Sequence, residues 1–191
     1  YSAFEVYTGE LEDAYEYATE GDNTYLSISR PAGTIVGGGA FGVILTPRAD
    51  ILKGGNEITT PSYVVEFDVR IDRDNTGDLV LLSGTKQNIT ETFIKYNSGN
   101  GTIESNLGTV YELEDEDYGV WLRIAAVLND GTKKYDIYVN NNLYATGLDY
   151  SAADGYYMGY DLDNLTIAMV PDETASSVDV DNITLYLGRI P

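Results

Sequence analysis

The sequence predicts an all-β protein, an antiparallel β-sandwich of about a dozen short strands. Three observations carry that expectation. Apolar residues recur at every second position over several segments, which is the period of a strand with one buried face. Gly, Asn and Asp punctuate the chain between those segments, as turns require. Helical periodicity is almost absent. The one stretch rich in helix formers, 10–20, contains the alternating run Tyr15-Glu16-Tyr17 and reads as strand.

In chain order, strands are expected over 4–8, 14–19, 24–29 and 40–46. The segment before the fourth, 33–40, is Gly-rich. It lacks the Lys and following helix of a phosphate loop, so it reads as a loop or a bulged edge. Residues 48–56 have room for one helical turn. The cleanest strand is 62–72, with Tyr63, Val65, Phe67, Val69 and Ile71 on one face and Val64, Glu66, Asp68, Arg70 and Asp72 on the other. The run Asp72-Arg73-Asp74-Asn75-Thr76-Gly77-Asp78 spaces oxygen ligands like a calcium loop but lacks the bidentate Glu. A hairpin turn into a strand at 79–83 is the preferred reading. Strands at 92–97, 102–106 and 109–113 follow, and the acid run 112–117 reads as a solvated loop.

Residues 120–128 repeat the alternation, with Val120, Leu122, Ile124, Ala126 and Leu128 on the core face and Trp121 and Arg123 on the other. A strand at 134–139 meets one at 143–146. The turn is expected at Asn141-Asn142, because Asn tolerates positive φ. Strands at 156–160, 165–170 and 178–187 complete the set. In the last, Val178 and Val180 are apolar at even positions, but Ile183, Leu185 and Leu187 are apolar at odd ones. A β-bulge at Asp181-Asn182 would keep both halves facing the core. It would re-aim Asp181, either as a metal ligand or as an ordinary solvated group.

Composition narrows the chemistry. A chain of 191 residues suits one domain, expected to cover 1–191 and to bury roughly 70% of the surface that its unfolded form exposes. With 31 Asp and Glu against 11 Lys and Arg, the formal net charge is −20. That argues against nucleic acid and anionic membrane as partners, since both favour a basic face. There is no His and no Cys. A Ser-His-Asp triad, a Cys nucleophile and an ordinary zinc site are therefore excluded. No apolar run approaches the ~18 residues of a membrane span. The chain begins at Tyr1 with no signal peptide, so it is expected to be a monomeric domain excised from a larger secreted or cell-surface protein.

The outward faces offer a binding surface. Glu66, Asp68 and Arg70 share one strand face, and Trp121 and Arg123 share another. Asp136 and Tyr138 follow on the next strand. Joined in one sheet, these would present an aromatic plate among hydrogen-bonding groups, the mixture that sugars need. A solvated face with cross-strand ion pairs is the plainer reading. Tyr156, Tyr157 and Tyr160 form the most aromatic segment, Gly-flanked, and are a second candidate surface for stacking on sugars; half-buried strand Tyr is the alternative. Glu66-x-Asp68 also admits a glycoside-hydrolase pair.

Several segments resemble the concanavalin A-like (laminin-G-like) jelly-roll family. They are Phe4-Glu5-Val6-Tyr7-Thr8-Gly9 at the opening, Asn23-Thr24-Tyr25-Leu26-Ser27-Ile28, the pair Trp121-Leu122-Arg123-Ile124-Ala125 and Tyr135-Asp136-Ile137-Tyr138-Val139-Asn140, and the closing Val178-Asp179-Val180-Asp181-Asn182-Ile183-Thr184-Leu185-Tyr186. The resemblance spans the chain and implies a jelly roll. It implies one of several functions: carbohydrate-binding module, glycanase, polysaccharide lyase or adhesive domain. It also implies a structural calcium joining the first and last strands, by position at Glu5 and Asp181. The glucanases of this fold use a Glu-x-Asp-x-Glu strand, whose third acid is Arg70 here. The lyases use a His or Asn with Tyr and Arg. The expectation is therefore a non-catalytic carbohydrate-binding module that recognises a polysaccharide on a concave sheet face. A structural or adhesive sandwich is the alternative, and a glycanase or lyase comes next.

Overall fold

A computed structural model describes residues 4–7, 15–30, 41–45, 62–86, 89–129, 132, 134–150, 164–170 and 176–187. Its strands are β1 (Phe4–Tyr7), β2 (Tyr15–Glu20), β3 (Asn23–Arg30), β4 (Phe41–Leu45), β5 (Ser62–Arg70), β6 (Leu79–Lys86) and β7 (Ile89–Asn97). They continue as β8 (Thr102–Ser105), β9 (Gly108–Glu112), β10 (Leu122–Asn129), β11 (Lys134–Val139), β12 (Asn142–Asp149), β13 (Asn164–Val170) and β14 (Ser176–Leu187). A single 3-10 turn covers Asp115–Asp117. The strands form two seven-stranded sheets. One runs β1-β4-β13-β6-β7-β8-β9 and the other β12-β11-β10-β5-β14-β3-β2. The described pairings are antiparallel, as the sandwich expectation requires.

The two sheets share one core. The predicted inward set of β5 meets it with Val65, Phe67 and Val69 fully buried, and the alternation of β10 and β11 adds Ile124, Leu128, Ile137 and Val139. The opposite sheet contributes Leu82, Phe93, Ile94 and Ile167. Each such side chain stabilises the fold by about 1.5–3 kcal/mol on burial. An aromatic trio bridges the layers. Phe93 lies 5.2 Å from Tyr135 and 5.3 Å from Tyr150, ring centre to ring centre. The buried Tyr135 hydroxyl donates to Asn106 Oδ1 (2.9 Å), with the Phe93 carbonyl at 3.3 Å as a second acceptor sharing the same proton.

Four local expectations changed or gained detail. The strand expected from Val120 begins at Leu122. Val120 is 45% exposed, because the preceding Gly119 turns through φ 71° while its N–H bonds to the Ile71 carbonyl. The turn between β11 and β12 sits at Asn140-Asn141, one residue earlier than expected. Both residues have positive φ (48° and 65°), and Val139 pairs with Asn142. Three consecutive Asn could each serve locally, and strand register selected among them.

Residues 71–78 are not a hairpin, since β5 and β6 belong to different sheets. They arch over the sandwich from Ile71 to Leu79, both fully buried. Asn75 anchors the arch. Its Nδ2 donates to the Gly77 carbonyl (2.7 Å), and its Oδ1 accepts from Ser177 N (2.8 Å) on β14. The bulge in β14 is present: pairing with β5 shifts between Asp181 and Thr184, and Asn182 has φ 49°. The segments 33–40, 48–56 and 156–160, and with them Tyr156, Tyr157 and Tyr160, lie outside the described residues.

Candidate functional site

The register of the second sheet assembles the expected outward face. Arg123 pairs with Asp68, which pairs with Asp181, and Ala125 lies between Glu66 and Tyr138. Val127 stands beside Asp136, and Asp179 beside Arg70. Glu66, Asp68, Arg70, Arg123, Asp136 and Tyr138 thus share one surface, with Trp121 just before β10.

Arg70 is the hub at one end. Its Nε donates to Asp179 Oδ2 (2.9 Å) and its Nη1 to Glu20 Oε2 (2.6 Å). The guanidinium carbon lies 4.7 Å from the Tyr25 ring centre and 4.8 Å from that of Trp121, and the two rings meet edge-on at 5.3 Å. Burial pulls the guanidinium's pKa down, but its bonds to Glu20 and Asp179 more than offset this and hold it above its ordinary value. Trp121 is therefore a wall of this cluster, with one neighbour already stacked against it.

The middle of the face is a hydrogen-bonded row. Asp68 accepts from Arg123 Nε (3.1 Å) and Asn182 Nδ2 (2.7 Å), and Glu66 accepts from the Tyr186 hydroxyl (2.9 Å). Neither Asn182 nor Tyr186 was expected as a site residue from the sequence. Their partners lie 114 and 120 residues away, and only the insertion of β14 between β5 and β3 brings them together. Burial, then the bond to Glu66, pushes the Tyr186 hydroxyl up to about 12. In the unfolded chain it titrates near 10. Above pH ~10 the unfolded state loses this proton first, so stability falls as pH rises towards about 12. Melting curves across that range should show the decline, and Tyr186→Phe should make it shallower.

Asp181 accepts from Asn23 Nδ2 (2.8 Å) with Oδ2 and from Asn182 N (2.7 Å) with Oδ1. Both oxygens meet N–H donors, and no group of three His, Cys, Asp or Glu gathers among the described residues. Glu5 lies on β1, in the other sheet, paired with Ile44.

A cleft of about 450 Å³ opens at the far end of the same face. Val127, Asn129, Lys134, Asp136, Tyr138 and Gly147 line it, with Ser62 and Thr132. Its size lies within the range of small-ligand sites. Asp136 Oδ1 accepts from Thr146 Oγ1 (2.8 Å) and Gly147 N (2.7 Å), which fixes the carboxylate at the rim. Lys134 Nζ bonds Asp149 Oδ1 (2.7 Å) and the Gly147 carbonyl (3.2 Å). Tyr138 is half-buried, and its hydroxyl has no partner among the described residues. Of the expected surface residues that the structure describes, Asp136 and Tyr138 line this cleft. Arg70 and Trp121 belong to the hub, and Glu66, Asp68 and Arg123 to the central row.

No protein-family model matches the chain, and no curated protein matches it. Solved structures do. A sialidase superposes with a TM-score of 0.63 at 11% identity over 96% of this chain and 17% of its own. An alginate lyase of polysaccharide lyase family 7 gives 0.60 at 14% identity, over 95% of this chain and 85% of its own. Botulinum neurotoxin type C, whose entering of cells depends on interaction with two ganglioside molecules, gives 0.58 at 12% identity over 90% of this chain and 41% of its own. At such identities the likeness establishes the fold alone, a β-sandwich of the jelly-roll-like kind. The chain spans only a small part of the sialidase and less than half of the neurotoxin chain.

Proposed function

We propose that the chain is a non-catalytic carbohydrate-binding module of the concanavalin A-like type, one domain of a secreted or cell-surface protein, monomeric, and taking a polysaccharide on the outer face of its second sheet. The cleft carries this reading. It joins a half-buried ring, Tyr138, whose hydroxyl has no partner among the described residues, to a carboxylate held at the rim, Asp136. A sugar ring presents C–H groups to an aromatic face and hydroxyls to fixed acceptors, so this pairing suits it. The fold is compatible, since its structural relatives include carbohydrate-active and ganglioside-binding proteins.

Calorimetric titration against xylans, glucans, mannans and pectins is the test. At least one polymer should bind, and Tyr138→Ala should weaken it by about 1–2 kcal/mol, roughly five- to thirty-fold. The melting temperature should stay near that of the parent. Silence across the panel would overturn the reading in favour of a structural or adhesive sandwich.

A lyase is the second reading, because Arg123, Asn182 and Tyr186 converge on Asp68 and Glu66. Against it, Tyr186 keeps its proton at neutral pH and so is a poor base. Release of unsaturated sugar from alginate or pectin that Tyr186→Phe abolishes would favour this reading over binding. A structural calcium between Glu5 and Asp181 is a separate proposal, in which the ion would use the Asp181 lone pairs that the bonds from Asn23 and Asn182 leave free. A chelator that lowers the melting temperature would support it, and an unchanged value would reject it.

A further inference from the structure

Resting on the carbohydrate-binding reading, we infer that this cleft selects neutral glycans and discriminates against those bearing carboxylates. Recognition of a uronate or sialate uses a guanidinium or ammonium free to meet it. Every cation whose side chain the structure describes is already matched with a carboxylate of the chain itself. Lys134, the cation among the described residues that line the cleft, holds Asp149 at 2.7 Å. Arg123 holds Asp68, and Arg70 is shared by Glu20 and Asp179 beneath two aromatic rings. Away from this face, Arg73 is paired with Asp115 and Lys95 with Glu104. Among the described residues, an acidic sugar entering the cleft therefore meets a cation whose charge Asp149 already neutralises, and must compete with that carboxylate for it. It must then sit beside Asp136 on a chain of net charge −20. Like charges at that range repel strongly once partly removed from water.

A neutral ring meets none of this. The Tyr138 ring and hydroxyl, the hydroxyls of Ser62 and Thr132, and the Asp136 Oδ2 acceptor are all suited to sugar hydroxyls and C–H faces. Asp136 Oδ1 already accepts two bonds from β12, so the carboxylate is held in place before a ligand arrives.

The test is calorimetric titration of the full chain with polymers matched in backbone. Polygalacturonate is compared with its carboxyl-reduced form, and alginate with neutral glucan, mannan and xylan, each at low and high salt. The tightest ligand should be neutral, with an affinity insensitive to salt and weakened by Tyr138→Ala. The acidic polymers should bind at least about tenfold more weakly at low salt, and the gap should narrow as salt screens the repulsion. An acidic polymer that binds within tenfold of the best neutral one at low salt overturns the inference and leaves the carbohydrate-binding reading standing. Failure of every polymer overturns both.

Discussion

Phe93→Ala should lower the melting temperature by about 6–20 °C, the largest effect expected of a single truncation in this fold. Phe93 is fully buried on β7 and touches Tyr135 and Tyr150 from across the core. Removing the ring takes away transfer free energy and leaves a cavity at the seam between the sheets, where two rigid layers cannot collapse to fill it. Such truncations cost about 3–5 kcal/mol. In a protein of this size, each kcal/mol shifts the midpoint by about 2–4 °C. Phe93→Leu keeps most of the volume and should cost less than half as much. Thermal melts of the two variants check the prediction. Equal, small shifts would mean that the trio is not the core's fulcrum.

Arg70→Ala should be the most damaging substitution on the outer face, at about 2 kcal/mol, or roughly 4–8 °C. The side chain is only 15% exposed, and its loss leaves the Asp179 carboxylate, 18% exposed, without its main cation. It also removes the cation packed against the Tyr25 and Trp121 rings. Arg70→Lys keeps the charge but not the planar stack or the forked bonds, so an intermediate loss is expected. The control is Arg73→Ala. Its bridge to Asp115 is 54% and 90% exposed, so removing it should change stability by no more than about 0.5 kcal/mol. Trp121 is the chain's single Trp. Its fluorescence therefore reports on the hub directly: Arg70→Ala should shift it and Arg73→Ala should not.

Parts of this architecture were readable from neighbouring residues. Strands β5, β10 and β11 each carry a buried face at every second position, and a solvated sheet pairing leaves no other way to hide it. The bulge was legible for the same reason. A parity slip at Asp181-Asn182 can only be reconciled with one core by inserting a residue. The outward positions of Glu66, Asp68, Arg70, Arg123, Asp136 and Tyr138 followed from the same alternation.

Who pairs with whom did not follow. Residues 71–78 satisfy a hairpin and an arch equally well in local terms. The choice depends on which sheet receives Leu79 and on the anchoring of Asn75 to Ser177. The cleft draws on Ser62, Val127, Asp136 and Gly147, whose strands and flanking segments come together only through the order of the second sheet. Tyr186 was unremarkable among 17 Tyr until β14 settled beside β5 and gave it Glu66.

The acidic, His-free and Cys-free composition, the strand periodicity and the alternation of faces were determined by the sequence alone, because each is a property of adjacent residues. Tertiary structure alone decided which carboxylates would be neutralised by which cations. It also placed the Tyr138 ring at a cleft beside Asp136. The physical reason is that charges and rings act over a few ångströms in space, and antiparallel sheets set those distances between residues more than a hundred positions apart.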